Sequence, residues 1–283
     1  MSYNTPAQTA QVAINSGVTK AGLRPDKALV GGFLGGAYIA FGGLLAVIVS
    51  AGLKPEQWGG LITLITGVTF SLGLVLVMVA GAELLTGNMA VIPLALFDRK
   101  VTMPRMLLNW LWVTIGNFAG ALFVAYFLTV KTGVIAKVGA LSATEGYTRL
   151  GALAMGKAVS ETHFEQFIRA VGCNWLVCLG VWLALVATDV AGKVLAIVFP
   201  ITAFVALGFD HVVANMFFLP AAFFLHTGGV TFGNMMLNLS FAFLGNAVGA
   251  ALFVAGAYWY LYVRNAPAVA PVAASVPATV DPR

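Results

Sequence analysis

Three ionisable side chains, Glu83, Asp210 and His211, stand inside long apolar runs of this 283-residue chain. Burying such a group in an apolar medium is expensive unless it is paired, so each is a functional candidate by default. A histidine flanked by an amide can donate a hydrogen bond to a passing anion while neutral. As imidazolium it can attract the anion or exchange a proton with it. The two acids are not independent. Gly81, Glu83, Asn88, Met89 and Pro93 recur without a gap, 127 residues on, as Gly208, Asp210, Asn215, Met216 and Pro220. A frame of glycine, acid, asparagine and proline used twice points to two broken segments meeting at one site. Each acid has a structural reading, preferred for both: its carboxylate accepts hydrogen bonds from backbone N–H groups freed where a helix breaks. His211 has no counterpart in the first copy, where Leu84 stands, and that asymmetry points to function. Asn174, in the apolar stretch before it, is a candidate partner for the imidazole.

The elements that must hold these residues are membrane helices. The chain is 60% hydrophobic and 9% charged, against about 25% charged residues in a soluble domain. Thirty-two glycines suit helices whose backbones approach closely. A span takes about 20 apolar residues, and six are expected: 29–53, 59–92, 106–130, 166–188, 194–224 and 232–263. The second and fifth are too long for one straight span, and each carries the acid frame and an internal proline. They are expected to be interrupted, because irregular backbone at membrane depth must be buried in protein or line a cavity. The third and sixth share a second pattern. Asn109, Gly116, Asn117, Gly120 and Ala121 reappear 129 residues later as Asn238, Gly245, Asn246, Gly249 and Ala250. Spans 1–3 and 4–6 are thus two copies of one unit. Three spans being odd, the second copy enters from the opposite face. Such inverted repeats place a transport path at their interface.

Residues 1–28 form a polar N-terminal segment with Lys20, Arg24 and Lys27, and carry no signal-peptide pattern. Val12, Ile14, Val18 and Leu23 give that segment an amphipathic stretch expected to lie on the membrane surface. The membrane domain runs over 29–263, and the Ala/Pro/Val-rich tail over 264–283 is expected to be disordered. Basic residues in the N-terminal flank and in the 93–105 loop place both termini in the cytoplasm and the protein in the inner cell membrane. Lys157, just before the fourth span, reads by itself as a solvated lysine. In a vestibule it would raise the local concentration of anions. Thr86 offers a hydroxyl at the first break. Phe70, Leu74, Leu84, Leu85, Val177 and Phe204 are candidate apolar constrictions that spacing alone would not single out.

Several classes are disfavoured. There is no basic stripe with interleaved aromatics for nucleic acid. Cys173 and Cys178, five apart in one apolar run, read as packing residues, and His163 and His226 at span ends have no companion ligands, so neither a metal nor a cofactor is expected. No serine, histidine and acid are spaced for hydrolysis. A water or neutral-solute channel is the rival from another class, but such channels carry Asn-Pro-Ala at both half-helix starts, whereas Asn88 and Asn215 are followed by methionine.

Three stretches together resemble the formate/nitrite transporter family over residues 28 to 263: Ala82-Glu83-Leu84-Leu85-Thr86-Gly87-Asn88, Cys173-Asn174-Trp175-Leu176-Val177-Cys178, and Gly208-Phe209-Asp210-His211 through Ala214-Asn215-Met216-Phe217. The resemblance implies an all-α, aquaporin-like integral membrane fold of six helices with spans 2 and 5 broken. It implies a homopentamer with one pore per protomer, conducting a small monovalent anion: formate first, or nitrite or hydrosulfide, with proton coupling through the central histidine. His211 matches the family's pore histidine, Asn174 its neighbouring asparagine, Thr86 the threonine of the first break and Lys157 the vestibule lysine. Leu84 and Phe204 match one constriction, taken as cytoplasmic. Phe70 and Leu74 match the other, taken as periplasmic, with Leu85 where phenylalanine is common. Asp210 stands where glutamate is usual, which shortens the carboxylate's reach. Gly87-Asn88 departs from the Ser-Thr of some formate channels.

Overall fold

The computed structural model describes residues 3–136 and 144–265. The expected tail therefore lies outside the described residues from 266 onward. The chain begins with α1 (Pro6–Ala21) and continues with α2 (Pro25–Ser50) and α3 (Leu61–Gly81). After a break it resumes as α4 (Leu85–Phe97), then α5 (Met103–Lys131). A shorter helix, α6 (Glu145–Met155), leads to α7 (His163–Val186) and α8 (Val190–Ala206). A second break separates α8 from α9 (Val212–Phe224), and α10 (Phe232–Tyr262) closes the fold.

Among the described residues, five helices (α2, α3, α5, α7 and α10) are long and apolar enough to cross a bilayer. The segment expected as a fifth span is two shorter apolar helices, α8 and α9. The helix α3 meets the length requirement before its break, with the shorter α4 following.

Each break is made by the same residue type. Gly81 and Gly208, equivalent in the two copies, adopt positive φ of 84° and 70°. That left-handed conformation stops the preceding helix and is open to glycine without a Cβ penalty. The chain then runs extended, and Leu84 and His211 become the equivalent N-caps of α4 and α9, at φ −114°, ψ 120° and φ −104°, ψ 113°. The prolines do not make the breaks, contrary to the sequence expectation. Pro93 and Pro220 sit inside α4 and α9, which continue to Phe97 and Phe224.

The second repeated pattern is a packing device. The helix α5 lies along α2, and α10 lies along α7. A Cβ on Gly120 would run into the Phe33 carbonyl, and one on its equivalent Gly249 into the Val171 carbonyl. With the backbones this close, the neighbouring asparagines reach across. Asn117 donates to the carbonyls of Gly32 and Glu83 and accepts from Leu85 N–H. Asn246 donates to the carbonyls of Ala170 and Asp210 and accepts from Val212 N–H. Backbone groups freed at both breaks are thereby satisfied, as dry surroundings require.

The N-terminal helix does not simply float on a surface. Ala10, Ala13, Ile14 and Gly17 are buried against the fold, while Val12 and Val18 face outward. Asn4 fixes its start, donating from N–H to the Val186 carbonyl at 2.8 Å and from Nδ2 to the Leu185 carbonyl at 2.9 Å. Thus α1 is tied to the C-terminal end of α7.

Candidate functional site

Each break carries the same polar assembly. In the first copy Lys20 Nζ lies 2.7 Å from Glu83 Oε1. Asn88 Nδ2 donates to Glu83 Oε2 at 2.8 Å and to Asn109 Oδ1 at 2.9 Å. Asn109 Nδ2 in turn donates to the Lys20 carbonyl at 2.8 Å. In the second copy Lys157 Nζ lies 3.2 Å from Asp210 Oδ1. Asn215 Nδ2 donates to Asp210 Oδ1 and Asn238 Oδ1, both at 2.8 Å, and Asn238 Nδ2 donates to the Lys157 carbonyl at 3.1 Å. The expected role of Glu83 and Asp210 as acceptors of freed backbone N–H groups is replaced by a closed ring of lysine, acid and two asparagines.

Lys20 was not singled out in the sequence. It sits on α1, outside the repeated spans, and its offset to Lys157 differs from that of the acids they pair with. Its signal was a basic residue placed just before a span, as Lys157 is before the fourth. The two pairs differ in exposure. Lys20 and Glu83 side chains are 24% and 14% exposed, whereas Lys157 and Asp210 are 13% and 0% exposed. The second pair therefore depends more on its own partners.

Between the two assemblies lies the histidine. His211 Nδ1 accepts the N–H of Ala214 at 3.0 Å, capping α9. A ring nitrogen that accepts a backbone N–H carries no proton, so the remaining ring proton is on Nε2. Nε2 is 2.9 Å from Thr86 Oγ1 and donates to it. One bond therefore joins the starts of α4 and α9. Asn174 does not touch the imidazole, as the sequence had suggested it would. Its Nδ2 donates to the carbonyls of Thr86 at 3.2 Å and Asn246 at 2.8 Å, which fixes the backbone behind Thr86. Cys178 is likewise more than filler: its Sγ donates to the Thr86 carbonyl at 3.2 Å.

Two small cavities flank this bond. One, of about 40 Å³, is lined by Lys20, Leu74, Leu84, Gly87 and Val181 on the α1 side. The other, of about 60 Å³, is lined by Lys157, Phe70, Phe204, Thr66 and His211 on the opposite side. The expected constriction pairs are exchanged. Phe204 packs edge-on against Phe70 with centroids 5.6 Å apart and stacks on the His211 ring at 5.7 Å. Leu84 shares its cavity with Leu74. Position in the repeat does not predict this, because α3 runs past both cavities and contributes Phe70 to one and Leu74 to the other. Leu85 and Val177 are fully buried and line neither cavity.

Among the described residues no group of three or more His, Cys, Asp or Glu could hold a metal ion. Cys173 and Cys178 are free and buried.

A family model described as formate/nitrite transporter matches residues 7–260. The chain is 45% identical to a probable formate transporter of Methanothermobacter thermautotrophicus, over 93% of this chain and 99% of that one. It is 42% identical to a formate channel of Bacillus thuringiensis, over 94% and 98%. Among solved structures, an ion channel of the same family superposes with a TM-score of 0.80 at 28% identity, covering 89% of this chain and 98% of that one. A pentameric formate channel with formate bound superposes with a TM-score of 0.73 at 26% identity, covering 84% and 97%.

Proposed function

Because the chain belongs to the formate/nitrite transporter family, a family of multi-pass membrane transporters, we propose that it carries formate across the inner cell membrane as a homopentamer with a pore in each protomer. Nitrite and hydrosulfide are the competing anions of the same class. The observation that carries this reading is the neutral His211–Thr86 bond, with one lysine-lined cavity against His211 and a second, also lysine-lined, bounded by Leu84 and Gly87 next to Thr86. Both termini are read as cytoplasmic, since Arg24, Lys27, Arg99, Lys100 and Arg264 gather near the α1 end. That puts the Lys20 cavity inside and the Lys157 cavity outside.

Lys157 draws the anion to the mouth, where a cation raises its local concentration. Past Lys157 the walls are Phe70 and Phe204, and a bare carboxylate there loses its hydration. The low dielectric raises the anion's proton affinity, and it crosses as the neutral acid. The proton comes from water at the Lys157 mouth, which keeps the hydroxide, and it is released with formate on the other side. His211 carries one ring proton, on Nε2, and giving that up would leave an imidazolate. The role of His211 is then to donate a hydrogen bond, in exchange for Thr86, to the oxygen of the passing molecule. A rival in which His211 is charged would require breaking the Ala214 cap.

Proteoliposomes holding a pH-sensitive dye test this. Formate entry should acidify the lumen well beyond protein-free vesicles. Uptake without acidification would remove proton coupling, and no uptake above the lipid background would remove the transport reading altogether. Rapid water flux without formate flux would favour the neutral-solute channel.

A further inference from the structure

One charged group at the Lys157 mouth has no counterpart at the other end. Glu161 follows the wide helical turn Gly156–Ser160 that carries Lys157, and its side chain is only 9% exposed. Its Oε1 accepts from Arg169 Nη1 at 2.9 Å. Its Oε2 is buried and has no hydrogen-bond partner among the described residues when both acids are ionised, and the same is true of Asp210 Oδ2. The two carboxyl groups lie within hydrogen-bonding reach of each other. Two orphan carboxylate oxygens facing one another are satisfied together by one proton, as an O–H donating to an O⁻.

We propose that Glu161 and Asp210 hold a single proton between them, making Glu161 a positioning residue that sets the charge of the Lys157 mouth. The inference rests on the transport reading above. The charges that face Glu161 are Asp210 from the second break, Lys157 from the turn before it and Arg169 from α7. Cys173 of α7 and His211 at the head of α9 are the other titratable groups near Lys157, and α10 contributes only the neutral Asn238. With one proton shared, Lys157 and Arg169 face one negative charge, and the mouth is net positive by one. Without it two negative charges face two positive ones, the mouth is neutral, and Lys157 is held between two carboxylates rather than offered to an anion. Burial, with Asp210 beside it, pushes the Glu161 carboxyl up to about 8, so the change falls at mildly alkaline pH.

Two measurements on the reconstituted protein test this. Infrared difference spectra between about pH 7 and about pH 9 should lose one protonated-carboxyl C=O band in the wild type. The band should be absent in Glu161→Gln and present in Glu161→Asp. Over the same range, the formate concentration for half-maximal flux from the Lys157 face should rise roughly fivefold or more in the wild type, the scale of one unit charge a few Å away. In Glu161→Gln the rise should be roughly fivefold smaller than in the wild type. A wild type without the band, or an equal rise in Glu161→Gln, overturns the proposal. A wild type that carries no formate defeats the transport reading instead, while the infrared band still decides the carboxyl pair in the wild type and in Glu161→Asp.

Discussion

His211 does two jobs with one ring. Its Nδ1 caps α9 and its Nε2 donates to Thr86 across the break. Thr86→Val keeps the shape but leaves Nε2–H without its acceptor, a loss of about 1–3 kcal/mol for a buried donor. Formate flux in proteoliposomes should fall with it, together with the melting temperature in detergent. His211→Ala should lower formate flux in proteoliposomes sharply, and unchanged uptake would refute the role assigned to the ring. The two lysines should behave differently. Lys157→Ala leaves a carboxylate that is 0% exposed without its cation, and removing one partner of a buried pair costs about 3–5 kcal/mol. Lys20→Ala leaves a more exposed acid and should lower the melting temperature less. Glu161 also links stability to pH. Its folded pKa of about 8 lies above the ordinary glutamate value of 4.5, so the folded state binds more protons than the unfolded state between them. Its contribution is full below about 4.5 and is lost as pH rises through about 8. Glu161→Gln should flatten that part of a melting-temperature profile.

At the scale of elements, each unit is a long helix packed on a glycine-lined partner, with a helix broken by glycine between them. Gly120 and Gly249 lie directly against the facing backbone, where a Cβ has no room. Gly120→Val or Gly249→Val forces α5 from α2, or α10 from α7. The asparagines that satisfy both breaks then lose their reach. Protein yield in membranes should drop sharply for either, with any surviving protein conducting poorly. Gly81→Ala should be milder, since nothing lies within 4 Å of a Cβ there. Its penalty is the left-handed backbone alone, about 1–2 kcal/mol. The prolines illustrate how a sequence signal can mislead. Proline removes a helical hydrogen bond, but α4 is buried from Leu85 to Ala95 and α9 from Val212 to Ala222, and tertiary packing carries them past Pro93 and Pro220.

For the whole molecule, the two units meet so that both half-helices, α4 and α9, start near one point. In the reading proposed above, each end of the path carries a lysine paired with a carboxylate, and its middle is a neutral histidine–threonine bond among apolar side chains. That profile suits a species that arrives as an anion and crosses uncharged. Large apolar side chains such as Leu107, Leu111, Phe199, Leu244 and Leu252 are exposed on the single chain, where lipid or neighbouring copies would cover them. Native mass measurement should give five copies, and a monomer that still conducts formate would separate the pore from the assembly.

The sequence alone determined the helical class, the two repeated frames and the positions of both breaks, and it set His211 apart because Leu84 stands at the equivalent place; Thr86 and Lys157 came forward through the family resemblance. The class, the frames and the breaks follow from composition and from spacings that recur, which act along the chain. Tertiary structure alone decided that Lys20 on α1 completes the first assembly, that Phe204 pairs with Phe70 and Leu84 with Leu74, that Thr86 rather than Asn174 meets the imidazole, and that Glu161 reaches Asp210. Each of these depends on how separate helices cross in space. Residues from α1, the α6–α7 turn and the two breaks come together only when close glycine packing brings their backbones into register.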